Sequence, residues 1–165
     1  MATAVVRAAG DLPVWVVCDD AEVADWAEGA GAGVLWMPKR GLNLAVTEGV
    51  DALAAAGITR VVVCHADLPG ATHLDHLLPD DVANPVVVVV PDRRRDGTNV
   101  VSLPTGTGFR FAYGTGSFHR HVAEARRRDL TVEILDDPSL AWDVDVPEDL
   151  AAPATGAAPT ATDRP

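Results

Sequence analysis

VVVVVPDRRRDGTN, Val86 through Asn99, is the stretch that decides the fold. Five consecutive β-branched residues, Val86 to Val90, read as a strand buried on both faces, because a half-exposed strand would alternate apolar with polar. The run empties into two aspartates, three arginines and a glycine, followed by a small hydroxyl and an amide. In open α/β sheets, ligands sit outside the carboxyl ends of the strands. A cluster able to meet anions, a cation and hydrogen-bonding groups therefore stands where a site belongs. A solvated surface loop is the plain alternative for a DRRRD run.

Outward from that strand, short apolar runs alternate with helical patterns. Val14 to Cys18, Val34 to Met37, Val61 to His65, Asn99 to Leu103 and Thr131 to Leu135 read as strands. Asp20 opens a helix with acids in its first turn. Leu42 to Ala56 has helical spacing at Leu44, Ala45, Val50, Leu53 and Ala54, closed by Gly57. His73 to Leu78 reads as a short helical turn, and Ser117 to Arg128 as a basic amphipathic helix with Phe118, Val122 and Ala125 on its apolar side. Pro147 opens a final turn. Strand–helix alternation with buried strands predicts an α/β fold, a three-layer α/β/α sandwich. Residues 1–152 read as one domain and 153–165 as a disordered tail of Ala, Thr, Pro and Gly. Met1 to Ala9 is helical in character, so the sequence starts on a helix where a doubly wound domain ordinarily starts on a strand and phosphate-binding loop.

The chain carries 24 acidic and 13 basic residues, a net charge of −11. Duplex nucleic acid is thereby excluded as a general partner. A small anionic ligand is not, since Arg93, Arg94 and Arg95 could form a local basic pocket. Cys18 and Cys64 lie in apolar runs without metal or CxxC spacing and read as core cysteines of a reducing compartment. No apolar stretch reaches the roughly 18 residues of a membrane span, and no secretory signal opens the chain. A soluble, cytoplasmic protein is expected. Trp15, Trp26, Trp36 and Trp142 read as core and rim packing.

Three acidic clusters fall at strand ends: Asp67 in HADLP, Asp92 with Asp96, and Asp143 with Asp145 in WDVDVPED. Asp143 and Asp145 stand at i and i+2, on one side of an extended chain. Both carboxylates can then meet one hard cation, and magnesium bound by one or two carboxylates can bridge nucleotide phosphates. A DxD alone is more often a turn. GTGSFHRH, Gly114 to His121, is the other informative segment. Its small residues let a ligand approach the backbone, Ser117 could cap the helix that follows, and the exposed N–H groups there are a ready anion site. An ordinary glycine turn and N-cap explains it equally well. His119 and His121 would face different sides of the helix, and His65, His73 and His76 have no ligand spacing.

KRGLNLAVTEGVDAL, HADLP, PDRRRDGTNVVSL, GTGSFHRH and WDVDVPEDL occur in this order. The series resembles the 2-phospho-L-lactate guanylyltransferase family, also called phosphoenolpyruvate guanylyltransferase, of coenzyme F-420 biosynthesis. The likeness runs from about Val14 to Ala152. It implies a Rossmann-like nucleotidyltransferase fold of the nucleotide-diphospho-sugar transferase kind, with a mostly parallel sheet. It also implies transfer of GMP from GTP to 2-phospholactate or phosphoenolpyruvate, with release of pyrophosphate. By the same resemblance Asp67, Asp143 and Asp145 hold Mg2+, and Thr98, Gly114 and Ser117, with Asn99, cradle the phosphorylated acid. Gly41, Leu42 and Asn43 approach the guanine and ribose, while Asp92 and Arg93 line the cleft. The partners are GTP and a small phosphorylated carboxylic acid, with no nucleic acid or membrane. Acceptor, base preference and assembly, a homodimer among the options, stay open. Members of the family begin with a strand and a basic Pro-x-Lys loop that grips the triphosphate, and nothing before Asp11 matches it. A start codon placed inside the first helix is one reading. A non-catalytic homologue that binds ligand or a partner subunit without turnover is the alternative.

Overall fold

The structure, a computed structural model, describes residues 1–79 and 85–143. In chain order it contains α1 (Ala2–Ala8), β1 (Trp15–Cys18), α2 (Ala21–Gly29), β2 (Gly33–Trp36), α3 (Leu42–Ala55) and β3 (Arg60–Cys64). A 3-10 turn at Asp75–Leu77 precedes β4 (Val86–Pro91), β5 (Thr98–Pro104), α4 (Ser117–Arg127) and β6 (Thr131–Ile134). Asp20 begins α2 as expected: its side chain accepts from the N–H groups of Glu22 and Val23, two of the donors a helix start leaves open.

The valine run behaves as its composition dictates. Val87 and Val89 pack with Val101 and Leu103 against Phe118, Val122 and Ala125 of α4. Val88 and Val90 pack with Val100 against Leu68, Leu77, Leu140 and Ala8 on the other face. Two cores on opposite sides of one strand make the three layers. Each valine side chain fully withdrawn from water contributes about 1.5 kcal/mol or more, which is why a polar residue has no place in the run.

β4 sits between β5 and β6 in a four-stranded sheet of order β3-β5-β4-β6. It pairs parallel with β6, and β5 runs against both its neighbours. β1 and β2 pair in parallel as a separate two-stranded sheet. Between the two sheets lies an apolar cavity of about 580 Å³, walled by β1 on one side and β3 on the other and covered by α1 and α3.

Three local readings are corrected. Trp15 and Trp36 are 36% and 49% exposed, on the short outlying sheet rather than in a core. Leu44 also faces solvent, because α3 turns Val46, Thr47 and Gly49 inward instead. Ser117 is the first helical residue of α4, and Gly116 holds the cap position without a side-chain bond. The tail at 153–165, the turn at Pro147 and the carboxylate of Asp145 lie outside the described residues.

Candidate active site

At the carboxyl end of β4 the register with β5 shifts between Val90 and Pro91. Such a break re-aims the side chains that follow it, and Asp92 comes next. Its Oδ1 accepts from the N–H groups of Arg94 and Asp96, and its Oδ2 from that of Gly97, at 2.9–3.0 Å. The backbone closes the same loop, from Asp92 N–H to Gly97 O and Arg95 N–H to Asp92 O. A Cβ on Gly97 would lie 2.9 Å from Asp92 Oδ2, so only glycine lets the carboxylate in this close. Asp92 is thus the organiser of its own loop, with its oxygens already occupied by amides. Asp92→Ala removes three charge-assisted bonds, partly screened by solvent, and is expected to cost about 2 kcal/mol in denaturant unfolding. Asp92→Asn should retain part of it.

Asp96 joins this loop to the next one. Its Oδ2 accepts from Gly116 N–H at 2.9 Å and its main-chain oxygen from Phe118 N–H at 3.0 Å. Ser117 N–H bonds to Gly114 O at 2.9 Å. Three amides at the start of α4 therefore already have protein acceptors, one of them an anionic carboxylate. The sequence reading of a ready anion site at this helix start is corrected for that reason. Arg120 reaches back from α4 to the carbonyl oxygens of Ala112, Tyr113, Gly114 and Thr115, locking the glycine turn.

Thr98 opens β5 and Ser117 opens α4, 3% and 2% exposed respectively. His121, one turn beyond Ser117 on the same helix face, lies with Nδ1 3.0 Å from Thr98 Oγ1. Thr98, Gly114 and Ser117 are thereby drawn together around the first turn of α4. Asn99 points elsewhere: its Nδ2 donates to Leu140 O at 2.8 Å and fastens β5 to the segment leading to Trp142.

That segment also meets the loop after β3. Leu68 and Leu140 share one core, and a Cβ on Gly70 would stand 2.7 Å from Ser139 O, a contact only glycine permits. Arg93 N–H bonds to Ala141 O, and the Arg93 guanidinium lies over the Trp142 ring, 4.1 Å from its centroid. The HADLPG loop and the irregular segment that leads from β6 to Asp143, which is no strand end as the sequence had suggested, therefore lie side by side. Asp67 Oδ1 is buried there without a hydrogen-bond partner. A carboxylate oxygen shielded from water and unpaired is costly, and a hard cation is the group it fits. Among the described residues no set of three His, Cys, Asp or Glu gathers around a metal, and the third expected ligand, Asp145, lies outside them.

Gly41, Leu42 and Asn43 stand at the start of α3. Asn43 Oδ1 accepts from Tyr113 N–H at 2.6 Å and its Nδ2 donates to Tyr113 O at 3.5 Å. The amide thus pins α3 to the turn before α4, and all three residues of the trio are exposed, Leu42 at 55%. Burial and the Asp67 carboxylate push the Cys64 thiol up to about 12, so it stays an unreactive thiol.

Arg120 is the residue that sequence reasoning passed over, while Asp96 was noted only as an acid at a strand end and His121 only as an unsuited metal ligand. Arg120 follows Ser117 by three positions, one turn along the helix, and that spacing was its only signal. The other two act on partners 20 and 23 residues away.

The model of the family described as "Guanylyl transferase CofC like" matches residues 1–153. A phosphoenolpyruvate guanylyltransferase of Rubrobacter xylanophilus is 36% identical over 148 residues, covering 88% of this chain and 72% of the relative. One from Conexibacter woesei is 40% identical over 154 residues, 91% of this chain and 69% of its own. A 2-phospho-L-lactate guanylyltransferase of Methanothermobacter thermautotrophicus is 34% identical over 141 residues, 83% and 61%. Among solved structures, a chain of Desulfovibrio desulfuricans G20 described as a nucleotide-diphospho-sugar transferase superposes with a TM-score of 0.57 at 16% identity, over 89% of this chain and 66% of that one. That likeness bears out the α/β nucleotidyltransferase fold. With the family model matched along nearly the whole described chain, this protein belongs to the CofC-like guanylyl transferases and is a nucleotidyltransferase.

Proposed function

We propose that the chain transfers GMP from GTP to a phosphorylated three-carbon acid, as a step of coenzyme F-420 biosynthesis in the cytoplasm. An acceptor phosphate oxygen attacks the α-phosphorus, the bond from that phosphorus to the bridging oxygen of the β-phosphate breaks, and pyrophosphate leaves. The observation that supports this reading is the buried, unpartnered Asp67 Oδ1 in the loop whose Leu68 shares a core with Leu140, on the segment leading to Asp143.

Such a reaction asks the protein for positioning and charge stabilisation rather than covalent chemistry. Asp67 and Asp143, with Asp145, would hold Mg2+, which neutralises charge on the triphosphate when bound. The Thr98 and Ser117 hydroxyls would bind the acid on the floor set by the Asp92–Asp96 loop. The Leu42 side chain at the start of α3 would meet the nucleoside.

The test mixes the protein with GTP, Mg2+ and, separately, phosphoenolpyruvate, 2-phospholactate or 3-phosphoglycerate, and follows pyrophosphate. One of the three should give product with GTP, and less with CTP or ATP. No pyrophosphate with any acid at high enzyme concentration would overturn the reading. A second reading, ligand binding without turnover, has one observation in its favour: the cavity that separates β1 from β3 interrupts the sheet from which a nucleotide site would be built. Binding of GTP and acid in calorimetry with no pyrophosphate would select it.

A further inference from the structure

His121 is fully buried, and the proposed chemistry makes no use of it. Its imidazole has two polar partners. Ala112 N–H donates to Nε2 at 2.9 Å, and Nδ1 lies 3.0 Å from Thr98 Oγ1. A backbone amide can only donate, so Nε2 must offer its lone pair. The single proton of the neutral ring is then on Nδ1, directed at the threonine oxygen. A doubly protonated ring would set one N–H against another. Rings of Phe109, Phe111 and Tyr113 lie 5.9, 6.0 and 4.9 Å from the imidazole, so it has little room to flip.

The consequence falls on Thr98. A hydroxyl has one proton and can point it in any of three directions. Because Oγ1 accepts from His121, its own proton is turned away from the helix, and among the described residues nothing else bonds to that oxygen. We infer that His121 is a positioning residue that fixes the Thr98 hydroxyl as a hydrogen-bond donor, aimed at an anionic oxygen of the bound acid. A donor held in this way favours carboxylate or phosphate over an amide or hydroxyl of similar shape. This rests on the proposed function, which puts the acid at Thr98.

Nitrogen-15 NMR of the histidine ring in the unaltered protein tests the tautomer without any turnover. The expected pattern at neutral pH is a protonated Nδ1 and an unprotonated Nε2; the reverse tautomer, or a charged ring, overturns the inference. Acid binding is then measured by calorimetry with phosphoenolpyruvate, 2-phospholactate and 3-phosphoglycerate, in Mg2+ and a GTP analogue that cannot react. His121→Phe and Thr98→Val should each weaken the acid by about tenfold. The double variant should lose no more than either alone, since the histidine acts through the threonine. Affinity for the GTP analogue should not move. His121→Asn, which keeps a donor near Oγ1, should recover part of the loss and covers the case in which the phenylalanine variant fails to fold. Wild-type affinity in the histidine variants, or losses that add in the double variant, overturns the inference alone. Failure of the unaltered protein to bind any of the three acids overturns the functional reading with it.

Discussion

Asp67→Asn is expected to lower guanylyl transfer about a thousandfold or more while leaving the fold intact. The substitution keeps the shape of the side chain and removes its charge. In the protein as it stands, Oδ1 of Asp67 is buried without a hydrogen-bond partner. No internal bond is therefore broken by the change at that atom, and stability should hold or rise slightly. Catalysis should not survive it. If Asp67 anchors the cation that neutralises charge gathering on the triphosphate, about 4 kcal/mol of transition-state stabilisation is lost, which is about three orders of magnitude in rate. Two measurements separate this from a general defect: Mg2+ affinity should weaken in parallel, and the denaturant unfolding midpoint should stay where it is or rise slightly. Unchanged turnover would remove Asp67 from the site.

Acidification should destabilise the protein well before its carboxylates titrate. Burial first, then the neighbouring charges of Arg120 and His65, lower the pKa of His121 to about 4, with Glu124 opposing them. In the unfolded chain this histidine takes a proton near 6.5. Between those values the unfolded state binds more protons than the folded one, so stability is complete above pH 6.5 and falls as pH drops toward 4. The loss attributable to this ring is roughly 3 kcal/mol at most, at about 1.4 kcal/mol per pH unit. Glu124 and Asp137 also have lowered pKa values, through Arg127 and Arg128 for one and Ser139 and His76 for the other. Their contributions fade only below the ordinary carboxylate range, so the slope between pH 6.5 and 4.5 belongs to His121. Denaturant unfolding across that interval should show it, and His121→Asn should flatten it. An unchanged slope in the variant would place the effect elsewhere.

How far the chain could be read in advance depended on the range of each interaction. The five valines declared a two-faced strand because burial on both sides is written in the residues themselves. Asp20 declared a helix start because its acceptors are two and three residues on. Asp92 was legible in principle for the same reason: its carboxylate serves amides two, four and five positions later, a pattern aspartate favours in turns. Ser117 was misjudged as a cap because the donor groups of that helix are met by Asp96, twenty positions earlier in sequence. The bond of the Asn43 amide to the main chain of Tyr113, seventy positions away, was likewise not foreseeable. Spacing carries no information about such pairings. The motif order did carry it indirectly, since PDRRRDGTN, GTGSF and, among the described residues, Trp142 do converge.

The separation of β1 and β2 from the other four strands has a bearing on motion. Ladder hydrogen bonds make a sheet open as one cooperative body, and here that continuity stops at the gap. The outlying pair is held instead through α3, which touches β1 and packs into the main core through Val46, Val50 and Leu53, while α2 covers β1 and β2. Such units open at free energies below that of global unfolding. α3, pinned to the turn before α4 by Asn43 and packed into the main core, is then the strut on which the outlying pair rests.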